Sequence, residues 1–110
     1  MARQIKLRGP WEKSAGWARV LEDGQIELEL YDFSPEAQDH MGNDVAWLYR
    51  IETVHKPRLR ELLQERSGSA IRTDSAMLQA FQKDFPHVRA VREWLKEKQI
   101  PYKEEFDSWA

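Results

Sequence analysis

The residues that could bind a metal or act as a nucleophile are few and widely spaced in this sequence. The three histidines, His40, His55 and His87, form neither an i, i+4 pair nor an H-E-x-x-H motif. Cysteine is absent, which excludes thiolate zinc sites, cysteine nucleophiles and disulfides. The five glycines are isolated and form no phosphate-binding loop. We therefore predict no metal site and no cofactor.

Paired carboxylates are the remaining residues that could perform acid–base chemistry. Glu27 and Glu29 lie two residues apart on a predicted strand, so they share one of its faces. General acid–base catalysis needs a partly desolvated carboxylate, and a hairpin face in water does not provide that environment. We interpret this pair as part of an exposed strand face and predict no catalytic residue.

The acidic residues concentrate in one block of the chain. The net charge is only -2, yet residues 21–44 carry eight acidic residues and no lysine or arginine. Such a block favours a basic protein partner and argues against nucleic-acid binding. Aromatic side chains often anchor such interfaces. The predicted partner-binding residues are Glu22, Asp23, Glu27, Glu29, Tyr31, Asp32, Glu36, Asp39 and Trp17.

Arg50 suggests an alternative function, because an arginine on an otherwise apolar strand should meet an anion. The anion could be a ligand in a pocket between the sheet and the helices, near Tyr49, Arg50 and His87. The chain would then be a small ligand-binding protein or an enzyme. An internal salt bridge is the structural alternative. A homodimer through a strand edge, involving Ile5 and Leu7 or the C-terminal arm, is a third hypothesis.

The element that must position these residues is the segment 44–52. Val45, Trp47, Tyr49 and Ile51 alternate with Ala46, Leu48 and Arg50, so the segment is apolar on both faces. This pattern predicts an inner strand. Before it, an Asp-Gly turn at residues 23–24 joins two extended runs, 15–21 and 25–32, into a predicted hairpin. Its core-facing residues would be Ile26, Leu28 and Leu30, with Glu27, Glu29 and Tyr31 facing outward.

The remaining elements are predicted from caps and apolar periodicity. A short helix should begin at Ser34-Pro35, a second at Pro57, a third at the cap Thr73, and a fourth should run over residues 87–99. Residues 3–8 and the tail after Pro101 are predicted to form edge strands. We predict one α+β domain over residues 1–110, with a small, mostly antiparallel sheet of four to five strands packed with three to four helices.

Four short segments resemble small bacterial proteins of uncharacterised families. They are residues 31–34 (YDFS), residues 42–45 (GNDV), and residues 100–102 (IPY) with 106–109 (FDSW). Some compact acidic proteins of that type are immunity proteins that neutralise a toxin, so the resemblance implies an immunity-like or antitoxin role. It carries over no catalytic residue. With no signal-peptide pattern and no membrane-spanning run, we expect a bacterial, cytoplasmic protein that does not contact membranes.

Overall fold

The computed structural model describes residues 4–33 and 45–108, with side chains as far as residue 106. Within these residues, five strands form one antiparallel sheet in the order β1-β2-β3-β4-β5. The strands are β1 (Gln4–Arg8), β2 (Ser14–Val20), β3 (Ile26–Asp32), β4 (Val45–Ile51) and β5 (Lys103–Ser108). The helices are α1 (Lys56–Ser67), α2 (Asp74–Asp84) and α3 (Val88–Glu97). A 3-10 turn at Thr53–His55 directly precedes α1. The predicted α+β architecture is confirmed; the short helix predicted from Ser34 lies outside the described residues.

The turn between β2 and β3 forms where the Asp-Gly pair predicts it. The Leu21 N–H donates to the Gln25 carbonyl and the Gly24 N–H donates to the Leu21 carbonyl, both at 2.9 Å. Gly24 has a φ of 92°, a conformation that side-chain-bearing residues rarely adopt. The turn therefore holds β2 and β3 in register, with Arg19 opposite Glu27.

The strand β4 is an inner strand, as its apolar pattern predicts, because it pairs with β3 on one side and β5 on the other. Tyr49 and Ile51 are buried in a core cluster shared with Leu59 of α1, Phe81 of α2 and Leu95 of α3. The described helices thus pack against one face of the sheet. We call the opposite face, which carries the alternate residues of each strand, the open face.

The helix boundaries follow local capping rules. α1 ends at Gly68, whose φ of 73° is the left-handed conformation common after a helix. At the start of α2, the Thr73 side chain accepts a hydrogen bond from the Ala76 N–H. At the start of α3, His87 Nδ1 accepts from the Ala90 N–H at 3.1 Å. These caps place the helix starts close to their predicted positions. No helix among the described residues has the length and apolar character to cross a membrane.

A glycine allows α3 to approach the sheet closely. A Cβ atom built on Gly16 of β2 would lie 2.9 Å from Val88 Cβ and 3.1 Å from Leu7 Cβ. These separations are too short for carbon atoms, so the glycine is required by packing and not by its backbone angle. The close contact fixes the beginning of α3 over the core-facing side of β2.

Candidate functional site

The centre of the open face is a carboxylate held between two arginines from the neighbouring strands. Arg19, Glu27 and Arg50 lie side by side on β2, β3 and β4. Arg19 Nη1 donates to Glu27 Oε1 at 2.6 Å, and Arg50 Nε donates to Glu27 Oε2 at 2.9 Å. Each carboxylate oxygen therefore accepts a charge-assisted hydrogen bond from a different arginine.

The network extends across all five strands. Arg19 Nη2 donates to Glu29 Oε1 at 2.7 Å, and Arg19 Nε donates to Gln4 Oε1 on β1 at 3.3 Å. On the other side, Arg50 Nη2 donates to Glu105 Oε2 on β5 at 3.1 Å. All three nitrogens of the Arg19 guanidinium are thus engaged. We call the following five residues the charge ladder: Arg19, Glu27, Glu29, Arg50 and Glu105.

Glu27 occupies the predicted face of β3, but the prediction that this face leaves it in water is wrong. Glu27 is only 7% exposed, whereas the side chains of Arg19 and Arg50 are 22% and 39% exposed. Strand periodicity determines the face of a side chain, but its exposure depends on the neighbours across the strands. Here both neighbours are long arginine side chains, whose stems can cover adjacent surface while the charged heads reach a partner.

The two ladder arginines are held in their charged form. Burial alone would lower the pKa of Arg19, but the hydrogen bonds and charges of Glu29 and Glu27 outweigh it and raise that pKa. The hydrogen bond that Arg50 donates to Glu27 likewise raises the pKa of Arg50, with smaller contributions from the charges of Glu27 and Glu105. The ladder therefore combines two charged arginines with three carboxylates, which leaves one carboxylate in excess.

The other acidic residues of the predicted partner-binding set lie in different environments. Glu22 and Asp23 are exposed in the turn between β2 and β3. The Asp23 carboxylate accepts hydrogen bonds from the backbone N–H of Gln25 at 3.1 Å and from its side chain at 2.6 Å. These bonds lower the pKa of Asp23. Glu36 and Asp39 lie outside the described residues.

Asp32 does not belong to the open face. It follows Leu30 on the core-facing side of β3, is 9% exposed, and accepts a hydrogen bond from Trp11 Nε1 at 3.3 Å. The Arg89 guanidinium lies 4.8 Å from the Trp11 ring centre. These contacts close one end of the core, so Asp32 and Trp11 have a structural role here.

Two aromatic residues accompany the ladder on the open face. Trp17 lies opposite Glu29, and Tyr31 lies two residues further along β3; both are partly buried. The Lys6 ammonium is 5.9 Å from the Trp17 ring centre, and the Tyr31 ring centre is 5.7 Å from that of Phe33. The structure therefore brings Trp17 and Tyr31 to the same face as Glu27 and Glu29.

The three residues of the predicted ligand pocket do not converge. Tyr49 and Arg50 are consecutive on β4, so their side chains point to opposite faces of the sheet. Tyr49 is buried, which raises its pKa, and its ring makes an edge contact with Tyr102 at 5.6 Å. Arg50 meets protein carboxylates in the charge ladder. His87 uses Nδ1 to cap α3.

Two members of the ladder, Arg19 and Glu105, are not among the site residues predicted from the sequence. The Asp-Gly turn could have identified Arg19, because the hairpin register that it sets places Arg19 directly opposite Glu27. Nothing in the sequence pairs Glu105 with Arg50, 55 residues earlier in the chain. That contact depends on where the tail strand is added to the sheet.

The described part of the chain contains no group of three or more histidine or acidic residues placed to hold a metal ion. The candidate site is thus a fixed polar surface flanked by aromatic residues. Comparisons with protein-family models, curated proteins and solved structures find no match to this chain.

Proposed function

We propose that this chain is a non-enzymatic protein-interaction module that binds a basic partner protein through its open face. The observation that carries the proposal is the charge ladder, which fixes charged groups on rigid strands beside Trp17 and Tyr31. Tryptophan, tyrosine and arginine are the residue types that most often dominate binding energy at protein interfaces. An immunity or antitoxin role, with a basic toxin as the partner, is the concrete form of this proposal.

The unused hydrogen-bonding capacity of the ladder favours a partner that donates. Glu29 and Glu105 each use one carboxylate oxygen in the described hydrogen bonds, so the other oxygen of each can still accept. Glu22 has no ion pair with any described residue, and it is exposed beside Asp23. Lysine and arginine side chains of a partner are the natural donors for these carboxylates.

Glu27 has a supporting role in this proposal. It is too buried to form much of a contact surface, but it fixes Arg19 and Arg50, which in turn fix Glu29 and Glu105. Groups that are already ordered before association lose less conformational entropy on binding. The ladder is therefore preorganised for recognition.

The test compares two charge-neutralised variants that remove the same number of carboxylates. The contact variant combines Glu22→Gln with Glu105→Gln, two exposed positions of the open face and its turn. The control variant combines Glu61→Gln with Glu97→Gln, exposed positions on α1 and α3. Reversing the charge of Glu27 is unsuitable, because a lysine between Arg19 and Arg50 would destabilise the sheet itself.

Each immobilised protein is exposed to lysate of the source organism at low and at high salt, and captured proteins are quantified by mass spectrometry. The proposal predicts a stoichiometric basic protein that is captured by the wild type and the control variant. Capture by the contact variant should be weaker, and high salt should reduce capture because it screens exposed charges. Equal capture by both variants would refute the assignment of the open face.

A further inference from the structure

A cleft lies at the far end of the strands from the turn between β2 and β3. Its volume is about 960 Å³, which is at the upper end of the range common for ligand-binding sites. The edge strand β1 and the start of β2 form one side, and the end of α2 forms the other. Phe33, Phe85 and Leu7 contribute apolar surface, and Phe33 is 37% exposed.

The charged residues of the cleft are mostly basic. Lys6 and Arg8 come from β1, Lys83 comes from α2, and Asp84 is the single acidic residue among the lining side chains that the structure describes. Neither Arg8 nor Lys83 forms an ion pair with any residue of the described ranges 4–33 and 45–106. The C-terminus of α2 adds partial negative charge, but Arg66 donates to the last carbonyl, that of Asp84, at 3.2 Å. The cleft therefore retains a net positive charge.

The outer edge of β1 presents backbone hydrogen-bonding groups to this cleft that are not bonded to β2. Among the described strands, β1 pairs only with β2, and the Lys6 carbonyl accepts a hydrogen bond from the Gln82 side chain of α2 at 3.0 Å. That carbonyl must therefore point away from β2. In an antiparallel ladder the N–H and C=O of one residue point to the same side, as do those of residues two positions away. The backbone groups of Lys6 and Arg8 thus face outward along the edge.

We propose that this cleft binds an acidic peptide segment of a partner protein in extended conformation, added as a further strand to the edge of β1. The backbone of Lys6 and Arg8 would pair with the peptide, and a peptide N–H would replace Gln82 as donor to the Lys6 carbonyl. Strand addition is a common mode of peptide recognition, in which main-chain bonds provide affinity and side-chain contacts provide specificity. Here the basic side chains select carboxylates, and Phe33 and Phe85 accept an apolar side chain.

This site borders the surface assigned under the proposed function, because Lys6 contacts Trp17 and Phe33 contacts Tyr31, but it differs from that surface in charge. The cleft is basic and lies at the C-terminal end of β1, whereas the exposed acidic residues Glu22 and Asp23 lie at the opposite end of β2 and β3. The two surfaces would recognise partners of opposite charge. Either assignment can therefore fail without affecting the other.

The experiment measures fluorescence anisotropy of a labelled hexapeptide in which glutamate and valine alternate around one central phenylalanine. Two comparison peptides carry lysine in place of glutamate, or N-methyl groups on alternate amides to block strand pairing. We expect saturable binding of the acidic peptide and at least tenfold weaker binding of both comparison peptides. Equal binding of the N-methylated peptide would overturn strand addition, and full competition by inorganic phosphate in that case would indicate a simple anion site.

Matched variants locate the binding site. Arg8→Gln with Lys83→Gln should weaken binding about two- to thirtyfold, from the range measured for two exposed charge pairs. Arg58→Gln with Lys96→Gln removes the same charge from exposed positions of α1 and α3 and should have no effect. An equal loss of peptide affinity in both variants would refute the assignment of the binding site to the cleft. If the double variant unfolds, peptide binding is measured with Lys83→Gln alone, which changes an exposed helix position.

A final variant tests the role of Gln82. Gln82→Ala frees the Lys6 carbonyl, so the peptide no longer has to displace an existing hydrogen bond. The expected result is two- to tenfold tighter binding, which corresponds to the usual net value of one such bond. Weaker binding would mean that Gln82 contacts the ligand by its side chain, and it would contradict pairing with the carbonyl of Lys6.

Discussion

Replacing Glu27 by glutamine should destabilise the fold more than any other charge-neutralising change on the open face. Glu27→Gln preserves volume but removes the charge that joins Arg19 to Arg50. Hydrogen bonds to charged groups contribute about 1.5–3 kcal/mol each. The arginine side chains are 22% and 39% exposed, so they can regain hydrogen bonds to water when the charge of Glu27 is removed. We therefore expect Glu27→Gln to lower the free energy of unfolding by about 2 kcal/mol, which is less than the sum of the two bonds. The matched control, Glu105→Gln, affects a side chain that is 60% exposed and should cost about 0–1 kcal/mol.

Urea unfolding followed by tryptophan fluorescence and by circular dichroism measures this difference. With a slope of about 2 kcal/mol per molar urea, Glu27→Gln should lower the midpoint by about 1 M at unchanged slope. A double-mutant cycle with Arg50→Gln should give a coupling energy of about 1 kcal/mol, because the two side chains are in direct contact. If Glu27→Gln costs no more than Glu105→Gln, the ladder is not a stabilising unit and the preorganisation argument fails.

Three further predictions concern the core and the helix starts. Gly16→Ala should lower the free energy of unfolding by about 1–3 kcal/mol in the same assay, because the added methyl group overpacks against Val88. Adding Val88→Ala should recover part of that loss. An unchanged urea midpoint for Gly16→Ala would show that α3 shifts freely. Burial raises the pKa values of Tyr49 and Tyr102, so stability should fall as pH rises above about 10. Phenolate absorbance should then develop at higher pH in the folded chain than in urea, and coincident curves would contradict the burial of these hydroxyls. His87→Ala should cost about 1 kcal/mol and His87→Asn much less, because asparagine restores a cap acceptor; equal losses would exclude the capping role.

The pairing of Arg50 changes what its presence on an apolar strand means. Its guanidinium bonds two protein carboxylates, Glu27 and Glu105, so the residue requires no external anion for its charge to be compensated. The structure therefore explains Arg50 through the sheet and directs attention to the open face. It also shows that removal of Arg50 would alter the whole ladder, which makes it a poor single-site probe of binding.

The local sequence determined much of the fold. Period-two alternation located β4, the Asp-Gly pair located the turn that contains Gly24, and the caps Thr73 and His87 located the starts of two helices. These features could be predicted because each depends on residues only a few positions apart. Backbone angles, turn geometry and capping hydrogen bonds are all satisfied within such short segments.

The tertiary structure alone decided the chemical environment of the acidic residues. The sequence assigned Glu27 to a face of its strand and singled out Arg50, but it did not show that the two residues pair across β3 and β4. The period that places Leu30 on the core side also places Asp32 there, but nothing in the sequence indicated that Asp32 bonds Trp11 or that a basic cleft forms between β1 and α2. The physical reason is that periodicity fixes the direction of a side chain, whereas its burial and electrostatic partners depend on segments that only the folded sheet brings together.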